Sequence, residues 1–367
     1  MNSQAMAKYT ELLDVLGEAA RVTLDESRGI TSADDVGEGL RNISHVLQSA
    51  LYAHQESDPE RPVFTRIVSP TRSFTGDNPD AVYFEAPVAG GLDYIVRGNL
   101  AGAAYTSFTM EAGALDGRYA TATAGIINDT NFDVDPDGWY EIRLGGPPAE
   151  RNWLAVPAEG GRVTSRHYFE WPDPAAASQT LHVPLSIEAT PPAGPPSRWG
   201  DESVAAALQR VINHVKGKTL DAPRPAAVRA PFVSSTPNQF PAPVKPGNMA
   251  FAAFDAAYSL APYAIGPDQA LVISGRWPTC RFANVCLWNR FSQMYNYTRR
   301  SVSRNRANTT LLADGSFRMV LAHQDPGLPN WLDTEGRLSG TIFWRYFLPE
   351  GDIATPQADL VDFSSLT

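Results

Sequence analysis

The chain has 367 residues, of which 43% are hydrophobic and 19% are charged. This length exceeds what one hydrophobic core usually serves, so two domains are expected, and the composition excludes a disordered protein. The formal net charge of −10 argues against a nucleic-acid partner, because phosphate binding needs a net or clustered positive surface.

The N-terminal residues, Met1 to Lys8, lack a cationic region followed by an apolar stretch, and no later run approaches the ~18 apolar residues of a membrane span. We therefore expect a cytoplasmic protein with no membrane partner. Cys280 and Cys286 are the only cysteines. They are too few for a disulfide framework and match no zinc-binding pattern, so buried free thiols are expected.

Helical periodicity occurs in three segments. Apolar residues recur at helical spacing over residues 9–24 and 34–51, and residues 201–218 form one amphipathic segment. Thr31 and Ser32 supply an N-cap for the second segment. The first two helices are expected to pack on the outside of a β-sandwich.

Between these helical segments the chain changes to short runs rich in Val, Ile, Tyr, Phe and Thr, separated by turn residues. Such runs predict a mainly β protein with jelly-roll-like antiparallel sandwiches rather than βαβ units. The clearest runs are residues 81–86, 93–96, 105–110, 139–144 and 163–171. The proline-rich residues 223–246 suit an extended covering segment.

A series of motifs occurs twice in the same order. The first copy runs from Asp137-Gly138 through Asn152-Trp153-Leu154 to Pro172, and the second runs from Asp314-Gly315 through Asn330-Trp331-Leu332 to Pro349. We interpret this as an internal duplication, which should place Asn152-Trp153 over Asn330-Trp331. The predicted organisation is a helical segment at 1–57, a first sandwich at 58–190, a linker with one helix at 191–246, and a second sandwich at 247–367.

The second half resembles a known family through three of its motifs. The Asp-Gly-Ser-Phe strand at 314–317, the Pro-Gly-Leu-Pro-Asn-Trp-Leu loop at 326–332 and the aromatic strand at 343–347 resemble the module called domain of unknown function 1214. Residues 58–62 and the Gly-Asp-Asn-Pro-Asp-Ala block at 76–81 are similar to the domain of unknown function 1254 region that often accompanies it. The resemblance covers most of the chain and implies paired jelly-roll-like sandwiches, but it brings no settled reaction.

The familiar catalytic signatures are missing, which argues against kinases, α/β-type serine esterases and zincins. Asp133, Asp135 and Asp137 resemble the start of a calcium loop, although its twelfth position is Leu144 instead of Glu. A β-hairpin turn explains the same residues. We therefore expect no cofactor, with calcium at these three aspartates as the alternative.

Residues 276–306 contain seven arginines and no Lys, Asp or Glu. Period-two alternation places Phe282, Asn284, Cys286, Trp288 and Arg290 on one strand face. The exclusive use of arginine favours forked recognition of a carboxylate, sulfate or phosphate. The alternative is that these arginines pair with acidic residues of the first half and join the two halves.

Two functional hypotheses follow. The first is a cofactor-independent enzyme, of hydrolase or lyase type, that acts on a small, partly apolar, anionic molecule in the C-terminal half. His323 and Asp325 are its candidate proton carriers. The predicted ligand-binding residues are Arg276, Arg281, Trp288, Arg290, Arg299 and Trp331.

The second hypothesis is a non-catalytic small-molecule or carbohydrate-binding protein, in which Trp153 and Trp331 stack on the ligand. A pocket with paired titratable groups favours the enzyme, whereas an open aromatic shelf favours the binding protein. Whether the chain forms homo-oligomers is left open.

Overall fold

Three helices form one layer of the molecule. The structure is a computed structural model that describes residues 2–221, 230–247 and 253–366. Ser32 caps the second helix, because its hydroxyl accepts from the Asp35 amide and the Asp35 carboxylate accepts from the Ser32 amide, each at 3.1 Å. The helices are α1 (Gln4–Thr23), α2 (Ala33–His54) and α3 (Asp201–Lys218).

The helices pack on one another through apolar side chains. Leu12 of α1, Val46 of α2 and Val211 of α3 belong to one buried cluster. No helix in the described part of the chain is long and apolar enough to cross a membrane.

The first sandwich has two sheets that enclose one core. Phe108 and Met110 of one sheet meet Tyr94 and Ile142 of the other, so alternate residues of each strand point inward. In spatial order, the first sheet is β1 (Thr65–Arg66), β2 (Ala81–Val88), β8 (Gly161–Tyr168), β4 (Tyr105–Ala112) and β5 (Ala122–Asn128), and the second is β7 (Trp153–Leu154), β6 (Trp139–Leu144), β3 (Asp93–Asn99) and β9 (Leu185–Thr190).

The second sandwich is built in the same way. Its core includes Leu271, Ile273, Met319 and Trp344. One sheet is β10 (Ala256–Ala264), β16 (Ser339–Phe347), β12 (Phe282–Trp288) and β13 (Ser303–Asn305), and the other is β15 (Trp331–Asp333), β14 (Phe317–Ala322), β11 (Gln269–Gly275) and β17 (Gln357–Asp362).

The two sandwiches share one strand order. The order β2-β8-β4-β5 corresponds to β10-β16-β12-β13, and β7-β6-β3-β9 corresponds to β15-β14-β11-β17. The predicted class of tandem, mainly antiparallel sandwiches with helices is confirmed. Each copy contains one short strand pair that is parallel instead of antiparallel, β6–β7 in the first and β14–β15 in the second. The departure occurs at the same place in both halves, so it belongs to the repeated unit.

The two Asn-Trp pairs occupy equivalent places, as the repeated motifs predict. Asn152 and Asn330 both have positive φ, at 56° and 61°, a conformation that Asn adopts more readily than most residues. The Trp153 indole donates to the Gly145 carbonyl at 2.8 Å, and that of Trp331 donates to the Ala322 carbonyl at 3.1 Å. Both tryptophans thus tie a short strand to its own sheet.

We call the contact between the two sandwiches the seam. Tyr168 of β8 packs on Phe282 and Phe347, with ring centroids 4.9 and 4.3 Å apart. Every residue of β4 and β12 is buried. The outward faces of both central sheets are therefore covered, although a sandwich usually leaves its outward faces in water.

Part of the proline-rich segment lies along β10. Val233 forms a bridge with Leu260, and Val244 forms one with Tyr258. Residues 223–229 of the predicted covering segment lie outside the described residues.

Candidate functional site in the seam

A cavity of about 360 Å³ lies where the seam meets the helix layer. Its floor is the outward face of β8, and its volume is within the range of small-molecule sites. Since a strand rises about 3.3 Å per residue, the floor from Arg162 to Tyr168 is roughly 20 Å long. The lining includes His54, His214 and Lys218 of the helices, Thr164 and Arg166 of β8, Asp77 of the turn before β2, and Tyr258, Trp288, Phe343 and Arg345 of the second sandwich.

Arg166 and Arg345 occupy equivalent positions in the repeat. Arg166 lies on β8 between Tyr83 and Ser107 of the neighbouring strands. Arg345 lies on β16 between Tyr258 and Asn284. Both arginines line the cavity and are buried, at 5% and 4% exposure. The duplication therefore places two guanidinium groups in one site.

The two arginines differ in their partners. Arg166 donates to Glu111 Oε1 at 3.3 Å. The strand registers make Trp288 the counterpart of Glu111, so the carboxylate of the first copy is replaced by an indole in the second. Arg345 donates to Cys286 Sγ and the Gly76 carbonyl, both at 3.0 Å. In the described part of the chain, no carboxylate forms an ion pair with Arg345.

Aromatic rings cover the Arg345 guanidinium instead. Its central carbon lies 5.0 Å from the ring centre of Trp288 and 4.2 Å from that of Phe343. Such rings attract a cation but do not neutralise it. Asp77 and Asp80 interact with this charge without forming an ion pair with it. A buried charge without a directly paired counter-ion is costly, so this arrangement favours an anionic ligand.

Asp77 places a carboxyl group in the same wall. Its Oδ1 accepts from the Ser73 hydroxyl and the Met294 amide, both at 3.0 Å. Its Oδ2 is buried and has no hydrogen-bond partner among the residues described. Burial raises the pKa of Asp77 to about 7, although the hydrogen bonds from Met294 and Ser73 and the charge of Arg345 oppose this rise. The group can therefore gain or lose a proton near neutral pH.

The turn that presents Asp77 depends on glycine. Gly76 has a φ of 80°, and a Cβ there would lie 2.7 Å from the Trp288 ring. The Trp288 indole in turn donates to the Asp77 carbonyl at 3.0 Å. The Gly76–Asp77 turn and the second sandwich therefore fix one another.

A pair of tyrosines adds neutral donors to the cavity wall. The Tyr83 hydroxyl donates to that of Tyr168 at 3.0 Å, which leaves the Tyr168 proton to point elsewhere. Burial raises the pKa of both phenols, so both stay protonated. They can donate hydrogen bonds to an anion but cannot serve as bases near neutral pH.

At the helix end of the cavity, burial disfavours the charged forms of two histidines and one lysine. His54 Nε2 and His214 Nδ1 are 3.0 Å apart and share a hydrogen bond. Burial lowers the pKa of His214 to about 4 and that of Lys218 to about 7. The Lys218 ammonium lies 3.5 Å from the ring centre of Tyr119. His214 is therefore neutral, and Lys218 is only partly protonated near pH 7.

Among the predicted ligand-binding residues, Trp288 lies in the cavity wall. Arg281 pairs with Asp129 of the first sandwich at 2.9 Å, and Arg290 pairs with Asp35 of α2 at 3.0 Å. These two contacts favour the alternative in which the arginine segment joins parts of the chain.

The remaining predicted site residues lie elsewhere. Arg276 pairs with the exposed Asp314, and Arg299 lies exposed at the surface. His323 Nδ1 lies 2.6 Å from the Thr334 hydroxyl, and its Nε2 lies 3.1 Å from the Gly266 carbonyl. In the cavity lining as the structure describes it, His323, its neighbour Asp325 and the ring of Trp331 have no part.

The calcium-like aspartates form a turn. Asp135 Oδ1 accepts from the amides of Asp137 and Trp139, and Asp133 pairs with Arg151 at 2.8 Å. Across residues 2–221, 230–247 and 253–366, no group of three His, Cys, Asp or Glu side chains could hold a metal ion. These contacts are those of the hairpin-turn interpretation.

Sequence analysis did not single out Asp77, Arg166 or Arg345 as site residues. A signal was present, because both aromatic strands of the repeat carry an arginine, Arg166 before His167-Tyr168-Phe169 and Arg345 before Tyr346-Phe347. Charged residues are almost never fully buried without a partner or function. Aligning the two aromatic strands would have drawn attention to both arginines.

No protein-family model matches the chain, and no curated protein is similar enough to match it. A solved structure of an uncharacterized protein from Burkholderia cenocepacia is similar along the whole length, with 25% sequence identity, 99% of each chain covered and a TM-score of 0.83. A protein from Vibrio parahaemolyticus has 11% identity over 88% of this chain and 100% of its own, with a TM-score of 0.49. The first similarity supports the fold, and no conclusion is based on the second.

Proposed function

We propose that the chain is a cofactor-independent enzyme of hydrolase or lyase type that binds a small, partly apolar anion in the seam cavity. Arg345 holds the anionic group, and Asp77 transfers the proton. The single observation that carries this proposal is the loss of the carboxylate partner at Arg345, compared with the Arg166–Glu111 pair of the first copy.

The apolar part of the ligand is inferred from the other side chains of the wall. Trp288 and Phe343 flank Arg345, and Phe232 and Leu260 line the same cavity. A ligand that consists only of charge, such as inorganic sulfate, would leave these surfaces without contacts.

The catalytic part of the proposal follows from the groups that surround the anion. Asp77 has a pKa near neutrality, which suits a general base or acid. Tyr168 can donate to negative charge that develops on the substrate. Paired titratable groups in a cavity favour an enzyme over the non-catalytic alternative, and the indoles of Trp153 and Trp331, which bond to their own sheets, give carbohydrate stacking no support.

The anion site is tested by Arg345→Met, with Arg290→Met as the matched control outside the cavity. Binding of the fluorescent anion anilinonaphthalene sulfonate is measured by titration. Loss of a charged hydrogen bond is worth about 1.5–3 kcal/mol, so Arg345→Met should weaken binding by roughly 10- to 150-fold. Arg290→Met should leave the affinity within about twofold. Equal affinity of both variants and the natural protein would refute the anion site.

The place of Asp77 is tested by the pH dependence of the same titration. Ionisation of Asp77 above pH ~7 should repel the sulfonate, so the affinity should fall as the pH rises. Lys218 loses its charge over the same range, and the Asp77→Asn variant separates the two effects. If Asp77→Asn leaves the pH profile unchanged, Asp77 does not face the anion.

A further inference from the structure

We infer that the ligand carries a second, uncharged hydrogen-bonding group, which Thr164 and His214 bind at the helix end of the cavity. This inference rests on the proposed function for the position of the anionic end. It narrows the ligand to an elongated molecule with an anion at one end and a hydroxyl, carbonyl or amide group at the other.

The inference is based on two polar atoms that lack a hydrogen-bond partner. Thr164 Oγ1 and His214 Nε2 are both buried, and neither has a hydrogen-bond partner among the described residues. Both residues line the same cavity. Since most buried polar side-chain atoms in proteins are hydrogen-bonded, two orphan atoms in one cavity indicate a missing partner.

The charges at this end favour a neutral partner over a second anion. Glu85 and Arg162 pair with each other at 2.8 Å. The Lys218 ammonium packs on the Tyr119 ring. Thr164 is uncharged, and burial keeps His214 neutral. A hydroxyl or imidazole can donate or accept, so each suits a neutral polar group.

The spacing sets the length of the ligand. Thr164 lies four positions before Tyr168 on β8, a separation of roughly 13 Å. Arg345 lies near the Tyr168 end, because Phe347, two positions further along β16, packs on Tyr168 with ring centroids 4.3 Å apart. The volume of about 360 Å³ corresponds to about a dozen water-sized groups. The ligand is therefore slender, with its polar ends separated by an apolar chain or ring.

Decanoate and its terminal hydroxyl derivative are suitable probes, because they differ in the second polar group alone. Each is titrated against bound anilinonaphthalene sulfonate. The natural protein should bind the hydroxyl derivative about 5- to 150-fold more tightly, the range for satisfying buried unpaired groups. Thr164→Val should reduce this preference, because only His214 then remains to bind the hydroxyl group, and should leave decanoate binding unchanged.

Two controls separate the inference from the proposed function. Ser165→Ala, the next position of the same strand, faces the inner core and should keep the preference. Arg345→Met should weaken both probes together and leave their ratio intact. Equal binding of the two probes by the natural protein, or a preference that Thr164→Val leaves undiminished, would overturn the inference. If Arg345→Met weakens neither probe, the proposed anion site fails instead.

Discussion

The buried carboxyl of Asp77 should make the stability of the fold depend on pH with an unusual sign. An unfolded Asp has a pKa near 3.9, whereas burial raises that of Asp77 to about 7. Between these values the folded state holds a proton that the unfolded state has released. The free energy of unfolding therefore falls as the pH rises through this window.

The size of the effect follows from the difference in pKa. About three units at 1.36 kcal/mol each correspond to roughly 4 kcal/mol for complete titration. Asn has the shape of Asp and no titratable proton. The free energy of unfolding of Asp77→Asn, relative to that of the natural protein, should therefore increase by ~2–4 kcal/mol between pH ~4.5 and pH ~8.

Urea denaturation of both proteins at several pH values measures this difference. Any effect of the substitution on the free energy of unfolding that does not depend on pH cancels when the stability difference is compared between pH values. Asp314→Asn is the control, because Asp314 is exposed and hydrogen bonds from Ser316 lower its pKa. A stability difference between Asp77→Asn and the natural protein that stays constant with pH would refute the raised pKa, and with it the proton-transfer role.

Two further substitutions test residues that the sequence put forward. Arg290 donates to Asp35 and to the Gly29 carbonyl, so Arg290→Ala should lower stability by ~1–2 kcal/mol in thermal unfolding. If the variant instead keeps its stability and binds anilinonaphthalene sulfonate more weakly, Arg290 contacts the anion after all. His323→Gln should lower stability by ~1 kcal/mol through its lost contact with Thr334; normal stability together with impaired binding or turnover would instead restore His323 as a functional residue.

Local periodicity predicted the elements well. Helix α3 and strand β6 begin and end where the pattern placed them, at 201–218 and 139–144. Helix α1 begins at Gln4 instead of Tyr9. The reason is partly tertiary, because Ser3 caps the helix and the Gln4 amide donates to Asp201 of α3 at 2.8 Å. A contact between such distant residues leaves no trace in the local pattern.

The candidate site was harder to predict. Alternation along β8 shows that Val163 and Arg162 lie on opposite faces, but it does not show what covers each face. The face with Arg162 and Arg166 would ordinarily lie in water. Here the helices and the second sandwich bury it. Those covering residues are distant in sequence, so a single sequence without coevolving positions cannot identify them.

The duplication within one chain also explains how the two sides of the seam can carry different residues. An interface between two identical subunits presents each residue twice, so one substitution changes both sides together. A single chain that carries both copies is free of this constraint. Its seam has Glu111 on one side and Trp288 at the corresponding place on the other. Because the two copies are covalently linked in one chain, each can change independently of the other. The first half keeps the Arg166–Glu111 ion pair, whereas Arg345 of the second half forms no ion pair with a carboxylate in the described part of the chain.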